Sequence, residues 1–302
     1  MALTAVVLVI VSAFLHAGWN LAGKRAHPST AFFLVANLVG CLCLVPLLLT
    51  HMRVISVFPA RVWVLLALTG LCQAAYFAAL AGAYRTGDLS VAYPLARSSP
   101  VIVVTIATVL LGRGDEVGGR CVLGILLVVA GCFLVPMRRF RDLRLGNYVN
   151  VSCLLGLCAA FGTAGYSMLD DEALRLLRGT PGVATGNTMT TLLYAGLEAI
   201  SVLFWLALFV LPSRGQRAVL CETLRERALL AAGTGLTIYA AYTLVLVAMA
   251  FVANVSYVVA FRQLSVPLGA VLGVLVLKEP GSVPKFVGVG VMFVGLVLVG
   301  TG

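Results

Sequence analysis

Ten apolar runs, separated by short polar breaks, set the pattern of the chain: 2–22, 31–50, 62–83, 90–112, 120–137, 147–169, 188–212, 228–250, 254–277 and 283–301. Each is near the ~20 residues that a helix needs to cross a bilayer, so each predicts a membrane-spanning helix. An even number of crossings leaves both ends of the chain on one side.

Polar residues inside such runs are costly and therefore informative. The fourth run carries Pro94, Arg97 and Pro100. Each proline removes a backbone donor and disturbs the carbonyl one turn earlier, so the helix is expected to bend there. An arginine in hydrocarbon costs several kcal/mol unless it faces a cavity or a partner, which makes Arg97 a candidate binding residue. The plainer reading is a kink made for packing, with Arg97 snorkelling to the headgroups.

The pattern also repeats. Ala13–Asn20 returns as Ala160–Ser167 at an offset of 147, with small and aromatic residues in register. Thr69-Gly70-Leu71 returns as Thr234-Gly235-Leu236, and Arg97 as Arg262, at an offset of 165; Gly124 and Gly131 match Gly288 and Gly295 at 164. The growth in offset places an insertion around the seventh run. A unit of five crossings is odd, so two copies in one chain insert in opposite senses, as in many secondary transporters whose site lies at mid-membrane between the halves. The fold expected is an all-α integral membrane protein of ten transmembrane helices in two inverted five-helix repeats, 1–137 and 147–302.

Composition agrees with this picture and narrows it. At 61% hydrophobic, 11% charged and a mean hydropathy of +1.07, the chain departs from the soluble average of about 25% charged. The net charge of +10 is spread over the gaps between runs, so no nucleic-acid partner is expected. Basic residues after odd-numbered runs outnumber those after even-numbered ones, chiefly through 138–144 and 214–227, which places the termini outside by the positive-inside rule. The eight cysteines form no Cys-x-x-Cys pair and have no histidine at metal spacing, so neither metal nor cofactor is expected. No basic residue precedes the first apolar run, which is expected to be retained as a helix.

Three stretches carry a resemblance. Gly87-Asp-Leu-Ser-Val-Ala-Tyr-Pro-Leu-Ala-Arg97, Ser256-Tyr-Val-Val-Ala-Phe-Arg-Gln263 and Leu277-Lys-Glu-Pro280, with the two-copy plan, resemble the EamA-type ten-helix members of the drug/metabolite transporter superfamily. The resemblance implies a central cavity surrounded by helices one to four and six to nine, with five and ten peripheral, and the transport of small metabolites, often outward. Two departures bear on mechanism: Gly112-Arg113 stands where the pattern often has Gly-Glu, and Gln263 replaces a frequent Glu after Arg262. Both weaken a simple carboxylate-coupled scheme. His16-Ala-Gly-Trp-Asn20 also looks like a subset associated with phosphonate utilisation.

The candidate substrate-binding residues follow. Arg97 and Arg262 offer forked donors to a carboxylate or phosphate. Glu198, central in the seventh run, is expected to be protonated or paired, and could relay protons or bind an amine. His16, Trp19 and Asn20 share about one turn of the first helix, opposite Thr163, Tyr166 and Ser167 in the repeat. Tyr76, Tyr93, Tyr242 and Tyr257, with Gln73 and Asn254, could line a cavity, although for each alone an interhelical hydrogen bond explains it as well. Asp115, Glu116, Asp170, Asp171 and Glu172 read as solvated loop or helix-end charges, and the paired glycines as points of close helix contact.

The function expected is a secondary transporter, an exporter of small amphipathic or zwitterionic metabolites working by alternating access in a bacterial inner membrane. Proton coupling and a monomer or homodimer are compatible with it. A lipid-carrier flippase, marked by a lateral opening, or an uptake permease are alternatives. A receptor would not need inverted halves, and a membrane enzyme would need paired acidic motifs, of which Asp170-Asp171 is the one instance; no enzyme is expected.

Overall fold

The computed structural model describes residues 2–26, 28–86, 89–142, 150–183, 186–276, 278 and 280–301, without the side chains at 20–26, 84, 86, 89–95, 116 and 142. Asn20 and Tyr93 thus lie outside the described side chains.

Apolar residues on every face suit helices in hydrocarbon, where each backbone polar group must be satisfied within its own segment. The described chain is helical throughout: α1 Leu3–Ala26, α2 Thr30–Thr50, α3 Met52–Ile55, α4 Ala60–Thr86, α5 Leu89–Thr108, α6 Gly119–Leu134, α7 Val151–Arg178, α8 Asn187–Val210, α9 Arg214–Glu226, α10 Ala228–Ala248, α11 Val255–Phe261, α12 Ser265–Val276 and α13 Val283–Thr301. Side-chain caps begin several of them. Ser29 accepts from Phe32 N at 3.0 Å, and Asn150 from Cys153 N at 2.9 Å. Among the described residues eight spans are long and apolar enough to cross a membrane; Leu3–Trp19 and Gly119–Leu134 are shorter apolar stretches. The protein is an all-α integral membrane protein.

Four local features depart from the apolar pattern. First, α7 continues past 169 to Arg178, because the acids at 170–172 find partners rather than water. Second, the polar stretch 213–227 is not a loop but holds the amphipathic helix α9, capped by Ser213 and packed beside α2; its mostly polar face carries no long apolar run to announce it. Third, α5 ends in a wide turn at Val109–Arg113 where Gly112 takes φ 76°, a conformation that favours glycine. Fourth, the ninth run is broken: α11 stops at Phe261, a tight turn covers Arg262–Leu264, and α12 starts at Ser265. Pro267, with no N–H, leaves the carbonyl of Gln263 without its helical donor.

Packing follows small residues. α6 and α13 lie face to face, and an added Cβ on Gly124 would stand 2.6 Å from the Gly295 carbonyl oxygen, while one on Gly288 would stand 2.8 Å from Leu134 Cβ. Elsewhere α4 packs on α7 and α8, α10 on α1 and α2, α2 on α8, α5 on α7, and α1 on α12. Leu3, Leu42, Leu126, Phe204 and Leu275 face outward as part of the apolar belt.

Candidate functional site

Six helical elements converge on the middle of the bundle. α1 supplies Ser12, His16 and Trp19, α4 Gln73 and Tyr76, α5 Arg97, α7 Thr163 and Tyr166, α10 Tyr242, and the α11–α12 break Arg262. They line two adjoining cavities that share His16, Tyr76, Arg97, Tyr166 and Arg262. The free space, about 40 Å³ in one and 20 Å³ in the other, takes a few waters but not a metabolite.

The two guanidiniums dominate the lining. Arg97 directs Nη1 at His16 Nε2 at 3.0 Å, and Nη2 at the Arg262 carbonyl at 3.4 Å and at Ser265 Oγ. That carbonyl, at the helix break, also accepts from Ser265 Oγ at 3.0 Å. Arg262 donates from Nη2 to Tyr166 OH at 3.1 Å and sits over the rings of Tyr242 and Tyr166, with Cζ 5.2 and 5.7 Å from their centroids. Tyr166 meets Tyr242 and Tyr76 edge to face at 5.4 and 6.0 Å. Among the described residues Arg97 Nε and Arg262 Nη1 are buried with no hydrogen-bond partner, and neither arginine pairs with a carboxylate.

His16 is caught between donors. Trp19 Nε1 approaches Nδ1 at 3.2 Å while Arg97 approaches Nε2, and both are groups that can only donate. A neutral imidazole has one acceptor nitrogen, so it can satisfy one of the two at a time. An imidazolium could satisfy neither, which makes His16 a neutral member of this wall.

The carboxyl groups lie behind the cavity rather than in it. Glu198 is buried and accepts from Gln73 Nε2, and Gln73 in turn lines the cavity. Asp170 is fully buried within α7 and accepts from Thr69, Tyr194 and Tyr242. The reading of Asp170 as a solvated helix-end charge is therefore corrected. Asp171 is buried as well, 2.9 Å from Arg175 Nε and 3.4 Å from Arg113 Nη1, while Arg175 Nη2 donates to the Ala253 carbonyl at 2.7 Å. Glu172 is partly exposed and pairs with Arg61 at 2.9 Å. Together these contacts tie the start of α4, the ends of α5 and α7 and the α10–α11 connection at one end of the bundle.

Tyr257 does not line either cavity; its hydroxyl is turned to the Gly118 backbone and Cys121 at the start of α6. Tyr194 and Thr69 were not singled out from the sequence. A usable signal did exist for Asp170, which shares a helical face with Thr163 and Tyr166 at spacings of seven and four.

The EamA-like transporter family matches the chain over residues 3–137. Residues 3–137 belong to the EamA-like transporter family. This EamA-like half contributes His16, Trp19, Gln73, Tyr76 and Arg97 to the cavity, and the remainder of the chain contributes Tyr166, Tyr242 and Arg262. No curated protein matches. Among solved structures, one described as the crystal structure of a protein is 18% identical, covers 98% of this chain and 96% of that chain, and aligns with a TM-score of 0.67. At that identity the likeness shows the shared fold. The EamA-like stretch and the remainder of the chain thus wall one small cationic, aromatic-lined cavity between them.

Proposed function

We propose that the protein is a secondary transporter of the drug/metabolite transporter superfamily that moves small amphipathic or zwitterionic metabolites bearing an anionic group. The observation that carries this reading is the pair of guanidiniums, Arg97 and Arg262, with unspent donors and no carboxylate partner among the described residues, facing one cavity. Two such cations side by side favour a shared anion, and forked N–H groups suit a carboxylate or phosphonate. The rings of Tyr76, Tyr166 and Tyr242 would hold the apolar body of the substrate. Export is the direction proposed, from an inner bacterial membrane.

Ten crossings in two inverted units, 1–137 and 147–302, are part of the proposal. Its support is the exchange symmetry of the contacts. α1 on α10 corresponds to α7 on α4, α2 on α10 to α8 on α4, and α1 on α12 to α7 on α5, while α2–α8 and α6–α13 map onto themselves. Single contacts obey the same rule. Gly70 abuts Ser201 and Gly235 abuts Ala36, both pairs related by the offset of 165. Alternating access then takes the form of one unit rocking against the other around the cavity.

A second reading has its own observation. A lateral apolar groove of about 480 Å³ lies between α1 and α10, lined by Phe14, Leu15, Gly18, Leu229 and Gly233, and Trp19 lines both this groove and the cavity. A lipid-linked anion could enter by that route, as in a lipid-carrier flippase. Isotope efflux and growth-toxicity screens with amino acids, aminophosphonates and organic cations, in cells overproducing the protein, test the main proposal. Zwitterions or anions should be moved. Movement of cations alone would overturn the anion site, and movement of none of them but of a lipid-linked anion would favour the second reading.

A further inference from the structure

A second polar layer lies one step behind the arginine pair, on four helices, α4, α7, α8 and α10. Asp170 on α7 receives three hydroxyls: Thr69 Oγ1 at 2.6 Å and Tyr194 OH at 2.7 Å on Oδ1, and Tyr242 OH on Oδ2. Glu198 on α8 receives one amide, from Gln73, on Oε1. Thr69 and Gln73 are four residues apart on α4, as are Tyr194 and Glu198 on α8. On α4 that spacing sets the donors to the two carboxyl groups one helical turn apart, with Cβ atoms roughly 5–6 Å from each other, and the two acids lie within Coulombic reach of each other.

The two acids are dressed differently, and the difference assigns their charges. Three O–H donors stabilise a negative carboxylate and leave it little need of a proton. Glu198 receives one donor among the described residues, on Oε1, and so is the acid more in need of a proton. Two negative charges a turn apart in a buried layer repel strongly, so the layer is best occupied by one charge, on Asp170, and one proton, on Glu198. The titratable groups facing it are Cys72 from α4, Tyr166 from α7, Tyr194 from α8, Tyr239 and Tyr242 from α10, and Arg262 from the α11–α12 break. Arg262 is the cation among them, and Tyr242 touches both sides: its ring lies under the guanidinium and its hydroxyl donates to Asp170.

We propose that Glu198 holds an exchangeable proton kept in place by the charge of Asp170, and that Tyr242 links it to Arg262, so that a substrate anion and a proton bind together. The last clause rests on the anion site proposed above; the first does not. The positive field of Arg262 favours loss of the proton from Glu198 to water in the cavity beside Gln73. An anion on Arg262 cancels that field and the proton stays. Linkage is reciprocal, so the proton strengthens anion binding by the same factor. Tyr242 acts here as a positioning residue.

Infrared spectroscopy of the purified full chain in lipid nanodiscs, with no ligand added, tests the proton directly. At neutral pH the band of a protonated carboxyl should be present, and should shift when glutamate is carboxyl-labelled with carbon-13 but not when aspartate is. A shift with labelled aspartate, or no band at all, overturns the assignment without recourse to a variant. E198Q should remove the band, and a band that persists in it also overturns the proposal. D170N should let the Glu198 proton go about ten times more readily or more, and R262Q should hold it tighter by a similar factor. An unchanged titration of the band in D170N would show that Asp170 does not hold the proton, and in R262Q that the link through Tyr242 is absent. The anion site is judged separately by the transport screen, so either idea can fail while the other stands.

Discussion

At the scale of single residues, the charged groups divide by how each is compensated. Arg97→Ala or Arg262→Ala should weaken binding of the transported anion by ~2 kcal/mol or more, since each removes a charge-assisted contact that the other cannot replace; equilibrium binding to the purified variants measures this, and unchanged affinity in both would remove the anion site. Both arginines were legible in the sequence because a guanidinium inside an apolar run demands a reason. Asp170 was not, because it sits at the edge of an apolar run, where a solvated charge is unremarkable, and only the hydroxyls of Thr69, Tyr194 and Tyr242 show it to be buried. Tyr257 had the same credentials in the sequence as Tyr242, yet the two rings leave their helices toward different neighbours. Tyr257→Phe should accordingly leave substrate affinity within about threefold of the native protein, whereas Tyr242→Phe should alter the pH dependence of binding, an expectation that parallel titrations of the two variants would check.

At the scale of elements, periodicity located the apolar helices and erred where polarity was mistaken for an end or a loop. The helix α7 runs on through its acids, and α9 is a helix whose exposed face is polar. The break at Arg262–Leu264 was foreshadowed by Pro267, but its use was not: the carbonyl of Arg262 at the turn becomes an acceptor for the side chains of Arg97 and Ser265. The glycines of α6 and α13 behaved as their spacing implied. Because a side chain at Gly131 would have to enter the space of Met292 and the Gly288 backbone, Gly131→Leu should lower stability by about 1–3 kcal/mol. Thermal unfolding in detergent reads this; an unaffected midpoint would mean that the two helices are free to separate.

At the scale of the whole molecule, the exchange symmetry of the contacts makes a geometric demand. An experimental structure should allow 2–136 and 147–301 to superpose after a half-turn about an axis in the membrane plane, and parallel halves would refute the repeat. The symmetry is not complete, and the exception is the cluster of Arg113, Asp171 and Arg175 at one end of the bundle, with Arg175 also on the Ala253 carbonyl. By the repeat offsets, Asp171 corresponds to Lys24 and Arg113 to Lys278. Where one end pairs opposite charges, the corresponding positions in the other half are both lysine. Under the alternating access proposed above, the cluster of Arg113, Asp171 and Arg175 acts as a bolt at one end of the bundle. Release of that bolt is then the expected slow step of the proposed cycle. Asp171→Asn should shorten that wait and raise turnover, and the gain should shrink as added salt weakens the native bolt by screening its partly exposed arginines.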